Sequence, residues 1–488
     1  MRATAYIALT AGVAMALAGC EVGPDFARPA APSATQYDTS ADPVATVAAD
    51  GTSQSFTPAA EIPADWWRLF NAPQLDEMVR QGLAGSPTLA AAEATLRQSE
   101  HSLRAGEGVF FPQIGADFGA QRERLSTTKF GEASKGSIFN LFTPEATISY
   151  TLDVFGGERR TVEALAADVD AEKNTARAAA LTLASNIVNG AVAMAAYQAE
   201  IDATQEIVDL QQQQVKLSEV QAKAGTAAYA SVLSLEAQLE ATEAALPPLR
   251  QKLSQTDHLL AMLTGRLPAE WQPPKLGFAD LTLPHVLPIS LPSSLVGQRP
   301  DILNAESQMH AASAEIGVAT AAMLPNFTLD GAFGFSNTSL GTLLATGGKF
   351  WSLGADVAQP IIDGGTLWFR RKATIDAYDA ASADYRQTVL AAFQQVADTL
   401  RALEHDAEAL AADEKALDTA RRALQLVQAN YRAGLATYSE VLIADAQYHQ
   451  ALITDIQTRA TRYQDTVALF VALGGGWWTK PAEQTAKQ

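Results

Sequence analysis

After Pro112, and again after Pro325, apolar residues stop recurring at helical spacing and begin to alternate. Ile114, Ala116, Phe118 and Ala120 alternate with Gln113, Gly115, Asp117, Gly119 and Gln121. Ala146, Ile148, Tyr150, Leu152 and Val154 alternate with Thr147, Ser149, Thr151 and Asp153. The later half repeats this, with Phe327, Leu329, Phe333 and Phe335 against Thr328, Asp330, Gly334 and Ser336, then Trp351, Leu353, Ala355 and Val357 against Ser352, Gly354 and Asp356. Side chains of a strand point to opposite faces in turn. The pattern therefore predicts four strands, each apolar on one face and small, hydroxylated or acidic on the other. Polar loops, 122–144 and 337–349, join each pair. Runs of about ten residues with this dyad period suit strands crossing a membrane with lipid on one side and water on the other. Four aspartates, Asp117, Asp153, Asp330 and Asp356, fall on the polar faces, where a water-filled lumen accommodates them more easily than a dry core.

The rest of the pattern is helical. Short helices are predicted over 73–84, 87–106 and 300–322. Long ones follow Gly156-Gly157 and Gly364-Gly365, each of roughly 67 residues, or ~100 Å at 1.5 Å per residue. Ile187, Met194, Ile201, Val208 and Val215 recur every seven residues, as do Val396, Leu403, Leu410, Leu417 and Leu424, and a constant offset of 209 relates the two sets. A sustained heptad stripe means coiled-coil packing. A weaker stripe, Ala196, Ala203, Leu210 and Leu217, lies about 200° round the same helix, as expected of a stave with two neighbours, the alternative being a bundle helix with a wide apolar face. Each long helix ends at a Gly-centred turn, A-K-A-G-T-A-A-Y-A-S-V-L at 222–233 and Y-R-A-G-L-A-T-Y-S-E-V-L at 431–442, and a returning helix follows over 229–263 or 438–473. The chain is thus a duplication. We divide it into a leader over 1–19, an extended tether over 20–65, a first repeat over 66–286, a second over 287–476 and a polar tail over 477–488.

Composition narrows the classes. With 54 acidic against 35 basic residues the net charge is −19, which argues against a nucleic-acid partner. The single cysteine, Cys20, excludes an intrachain disulfide. It ends an apolar run, Ala5 to Leu17, as L-A-G-C. Leu17-Ala18-Gly19-Cys20 resembles the bacterial lipobox, which implies cleavage before Cys20, its acylation, and passage to the outer membrane with Glu21 next in line. Six histidines (101, 258, 285, 310, 405 and 449) form no H-E-x-x-H pair, and Gly474-Gly475-Gly476 lacks the remainder of a phosphate loop. The reading is therefore no enzyme, no metal and no cofactor. A lipoprotein hydrolase and an envelope-spacing coiled coil are the other classes considered; the four strands separate a channel from a spacer, which needs none.

Four strands cannot close a barrel, and open edges in lipid would leave backbone groups unpaired at several kcal/mol each. A dimer would supply eight strands and a trimer twelve. The duplicated A-G-x-x-x-Y-x-x-V-L turns, the lipobox and the start Cys20-Glu21-Val22-Gly23-Pro24-Asp25-Phe26 resemble the outer membrane factor (TolC-like) family, nearest the lipoprotein exit ducts of RND-type efflux systems, the NodT group. The resemblance implies a mainly α chain with long coiled-coil helices forming a periplasmic α-barrel and a transmembrane β-barrel completed by trimerisation. It implies a homotrimer lipid-anchored in the outer membrane, docked to a periplasmic adaptor protein and an inner-membrane RND-type pump. The outer membrane component of a type I protein secretion system is the alternative within the family. On this reading Gly225, Thr226, Tyr229, Gly434, Leu435 and Tyr438 form the adaptor-contact turns. Tyr431, Arg432, Glu440 and Asp445 form the periplasmic aperture, with Tyr431 a candidate for the hydrogen bonding of a closed state. The family places acids six and nine positions after the second turn glycine. Here those positions hold Glu440 and Ile443, so Asp445 stands as a possible substitute for the second acid.

Overall fold

The computed structural model describes residues 21–40, 42–126 and 136–479. The leader over 1–19, the lipidation candidate Cys20 and the tail beyond Thr479 lie outside the described residues. In chain order the strands are β1 (Ser55–Pro58), β2 (Gln113–Leu125), β3 (Ser137–Leu152), β4 (Val286–Ile289), β5 (Asn326–Phe335) and β6 (Lys349–Ala358). The α-helices are α1 (Pro73–Gly85), α2 (Pro87–Gly106), α3 (Gly157–Lys223), α4 (Tyr229–Glu243), α5 (Leu246–Leu263), α6 (Pro292–Leu295), α7 (Pro300–Ala321), α8 (Thr366–Arg432) and α9 (Tyr438–Ala472). The predicted long helices are both present at 67 residues each. The backbone divides into two units, the first holding the strands β2, β3, β5 and β6 with the helical segments that flank them, the second holding the turns and most of the helical residues.

In the first unit, β2, β3, β5 and β6 form one antiparallel sheet in that order. Register decides which side chains share a face. Asp117 stands opposite Glu145, Thr147 opposite Gly115 and Ala332, Ser149 opposite Asp330, and Thr328 opposite Asp356. These define one polar face. The other carries Ile114 opposite Ile148, Ala146 opposite Phe333, Phe333 opposite Trp351, and Leu329 opposite Ala355. The alternation in the sequence is therefore held in register across all four strands. The apolar face is exposed, with Trp351 at 73% and Leu353 at 81%. The first pair of strands is longer than expected. β2 runs to Leu125 and β3 starts at Ser137, so much of the segment read as a loop, 122–144, is paired backbone. Asp153 is corrected as a strand acid. It lies just past β3 and accepts from the backbone N–H of Glu158 and of Arg159, both at 3.0 Å, capping the start of α3. A carboxylate at a helix N-terminus satisfies orphan donors and complements the dipole.

In the second unit the heptad residues form the seam. Ile187, Met194, Val208 and Val215 are buried on α3, as are Val396, Leu403, Leu410 and Leu424 on α8. Each such side chain contributes about 1.5–3 kcal/mol. The second stripe on α3 is only half covered, since Ala196 and Ala203 are buried while Leu217 is exposed. One 18-residue stretch within α3 is apolar enough by composition to cross a membrane, and half of it is buried inside the fold. Trp66 stacks on Phe470 at 5.3 Å, and Phe70 packs against Tyr463.

Three expectations are corrected by packing. The returning helix of the first repeat is broken between Glu243 and Leu246, because Pro247 and Pro248 start a new helix and cannot continue the old one. The segment read as a tether is docked. Ser55–Pro58 pairs in parallel with Val286–Ile289, Tyr37 donates to the Ser290 carbonyl at 2.7 Å, and Ile62 is buried. The start of the tail is likewise fixed, with Trp477 donating to the Gln298 carbonyl at 2.8 Å beneath the Arg177 guanidinium.

Candidate functional site

The two turns have the same backbone. Helix α3 ends with Thr226 N–H donating to the Gln221 carbonyl and Gly225 N–H to that of Ala222. Helix α8 ends with Leu435 N–H donating to Asn430 and Gly434 N–H to Tyr431. This six-to-one and five-to-two pairing is the Schellman motif, which needs a left-handed residue at the second donor position. Gly225 and Gly434 supply it at φ +74° and +77°. Tyr229 and Leu435 stand exposed beside them, Leu435 at 79%.

The restarts differ. Helix α9 opens with a capping box in which Thr437 N–H and hydroxyl both donate to the Glu440 carboxylate, and Glu440 N–H returns to the Thr437 hydroxyl. The Thr437 N–H holds the Glu440 carboxyl below the usual range. Helix α4 begins after Ala228 with no side-chain cap. The T-x-x-E spacing at 437–440 carries this signal in the sequence, and it gives Glu440 a structural role beside the aperture role expected of it.

Beside the turns lies a cleft of about 280 Å³ lined by Leu210, Leu217, Leu235, Tyr431, Tyr438 and Val441 among others. Arg432 is part of its wall. The Tyr431 hydroxyl donates to the Gln221 side-chain carbonyl at 3.2 Å, and its ring meets that of Tyr438 edge-on at 5.8 Å. Among the described residues the Tyr438 hydroxyl has no hydrogen-bond partner. Asp445 is corrected as an exposed ring acid. It is only 2% exposed and accepts from the Gln211 amide at 2.6 Å, packed between α9 and α3. Burial pushes its carboxyl up and the His449 imidazole down. The exposed positions between Tyr438 and Gln447 are Ser439, Glu440, Ile443, Ala446 and Gln447, so the residue at plus nine, the apolar Ile443, is one of the exposed ones.

The strand acids separate into kinds. Asp117 faces Glu145 across β2 and β3, and Glu145 directly follows the segment predicted as a loop, 122–144. Asp330 and Asp356 lie on neighbouring strands β5 and β6, on the polar face. Among the described residues no group of three His, Cys, Asp or Glu is placed to hold a metal ion.

The sequence profile described as outer membrane efflux protein matches residues 78–266 and 291–475, one segment in each repeat. The pyoverdine export outer membrane protein OpmQ of Pseudomonas aeruginosa is 28% identical over 417 residues, 84% of this chain and 87% of that protein. The toluene efflux pump outer membrane protein TtgC of Pseudomonas putida is 28% identical over 487 residues, 97% of this chain and 95% of that protein. Among solved structures, the outer-membrane channel OprN superposes with a TM-score of 0.85 at 26% identity, covering 94% of this chain and all of that one. The outer membrane protein VceC of Vibrio cholerae gives 0.78 at 25%, covering 85% and all of that chain. The duplicated match and the shared fold assign the function class as transport rather than catalysis: the chain belongs to the outer membrane efflux protein family.

Proposed function

We propose that three copies of this chain form the exit duct of a tripartite pump, each contributing four strands to a twelve-strand barrel. The observation that carries this is the sheet. Among the described residues no strand lies beyond β2 or β6, yet one face is aromatic and exposed while the other bears Asp117, Glu145, Asp330 and Asp356. In lipid such edges must be closed, and copies of the same sheet close them. The half-covered stripe ending at Leu217 would meet the neighbouring copy. Acyl chains on Cys20 would add an anchor. Several chains bind a bilayer firmly at about 0.8 kcal/mol per buried methylene.

The turns are the surface for a periplasmic adaptor, which connects the duct to an inner-membrane pump of RND type. Thr226, Tyr229, Leu435 and Tyr438 would carry the contact, and the Schellman glycines hold them in shape. Tyr431, Arg432 and Glu440 border the aperture, with the Tyr431 to Gln221 bond holding α8 to α3 in the closed state. Asp445 serves from inside the helix pair, through Gln211. The acidic residues of the lumen face need no specific ligand. That relatives are named for cargoes as different as pyoverdine and toluene supports a duct that leaves selection to the pump.

The test is Leu435→Lys, with Thr226→Lys as its counterpart in the first repeat. Native mass measurement in mild detergent should still find an acylated trimer, while efflux by cells carrying the cognate pump is lost. Efflux at the wild-type level would remove the turns from the adaptor contact, and a monomer would remove the barrel.

A further inference from the structure

The start Glu21-Val22-Gly23-Pro24-Asp25-Phe26 does more than follow an acylated cysteine. In the first unit it lies along a socket made by α3 and α7, with Val22 and Phe26 half-buried and Glu21, Gly23, Pro24 and Asp25 keeping an exposed side. Val22 N–H donates to the Phe155 carbonyl at 3.1 Å, just past the end of β3. Arg160 on α3 is 3% exposed, and its guanidinium is the centre of the socket. It meets Glu21 at 3.2 Å, Asp25 at 2.6 Å and Glu163 at 2.7 Å, and donates to the Val22 carbonyl at 3.4 Å. Phe26 stacks on the His310 ring of α7 at 4.3 Å and 15°, and that ring bonds Glu163 at 2.8 Å. Arg28 pairs with Glu306 of α7 at 2.9 Å.

Two close approaches show that the fit is built. Gly23 has φ +102°, and a Cβ there would fall 2.5 Å from the Gly317 Cα. A Cβ on Gly317 would fall 2.7 Å from Arg160 and 3.0 Å from the Val22 carbonyl. Both positions must be glycine for the backbones to touch. Each side chain from Glu21 to Phe26 except Val22 and Pro24 has a named partner, and Val22 is held by its backbone.

We propose that residues 21–28 are a docked pin, held by Arg160 and the α3–α7 socket, which fixes where the acyl chains of Cys20 enter the bilayer relative to the end of β3. The pin also ties the two repeats, since α3 belongs to the first and α7 to the second. The lipid would thus be registered to the sheet at a set point. This rests on the acylation of Cys20 proposed above, and the experiment reads the two separately.

Amide hydrogen exchange at Val22 is followed in the full-length protein extracted from outer membranes, and the mass of the N-terminal peptide reports acylation. Val22 is expected to be protected in the wild type. It should be equally protected in Cys20→Ser made behind a leader for the general signal peptidase, because the socket and not the lipid holds it. Arg160→Met should exchange at least about tenfold faster with acylation intact. The pair Glu21→Gln with Asp25→Asn leaves α3 and α7 untouched and should do the same. Fast exchange in the wild type, protection that vanishes in Cys20→Ser, or protection that survives both charge variants would each overturn the socket. An unmodified N-terminal mass would overturn the anchor, whatever Val22 does.

Discussion

Asp406 on α8 illustrates how burial turns a carboxylate into a pH-dependent element. Burial first, then the hydrogen bond with Asp465 on α9, pushes its carboxyl up to about 7, against Arg462 and His405, which pull it down. The sign follows from linkage. The folded state binds the extra proton, so this group makes stability fall as pH rises from about 4 to about 7, and the loss is complete above that. Asp406→Asn should therefore raise the melting temperature at pH 8 and leave it nearly unchanged at pH 4, which scanning calorimetry at the two pH values would check. Residue types were readable in the sequence, but surroundings were not. Asp445 and Glu440 are both acids five positions apart on α9, yet one accepts from Gln211 of α3 and the other caps its own helix. The first partner lies 234 residues away, and no local spacing announces it. The second follows a local three-residue rule that the sequence itself displays.

Among the elements, the turn and the sheet invite opposite substitutions. A Cβ on Gly434 would meet nothing within 4 Å, so Gly434→Ala suffers only the left-handed backbone, about 1–2 kcal/mol. Gly434→Asn should lose less, because Asn visits that region more readily. Exchange of the last amides of α8 would rank the two. On the sheet, Leu353→Arg places a charge on the exposed apolar face and should cost about 2–4 kcal/mol of folding into lipid, whereas Asp356→Asn on the polar face should be nearly neutral. Reversible denaturation in phospholipid vesicles separates them. Alternation made the sheet faces readable, because a period of two specifies a face whatever the strand pairs with. The heptads did the same for α3 and α8. Pairings of short, irregular pieces were not readable. Ser55–Pro58 with Val286–Ile289 joins four-residue segments 231 positions apart, and neither has room for a period.

For the whole molecule, duplication is what made the architecture accessible, since each ambiguous stretch could be compared with its copy. It also marks where the copies have diverged: Pro247-Pro248 breaks one return helix while the other runs 35 residues unbroken. If α4 and α5 flex at that break, exchange should be faster at Ala244 and Ala245 than at the matching residues of α9. The sheet edges β2 and β6, beyond which no strand lies among the described residues, finally bear on how fast the molecule can be made. A chain that reaches the envelope ahead of its siblings carries β2 and β6 as open templates for any passing strand. Productive closure then competes with misassociation, and its yield depends on how many siblings are close by. Newly exported chains should therefore persist as protease-sensitive monomers when synthesis is slow and mature with a steep dependence on synthesis rate, a behaviour that pulse-chase at graded expression would expose.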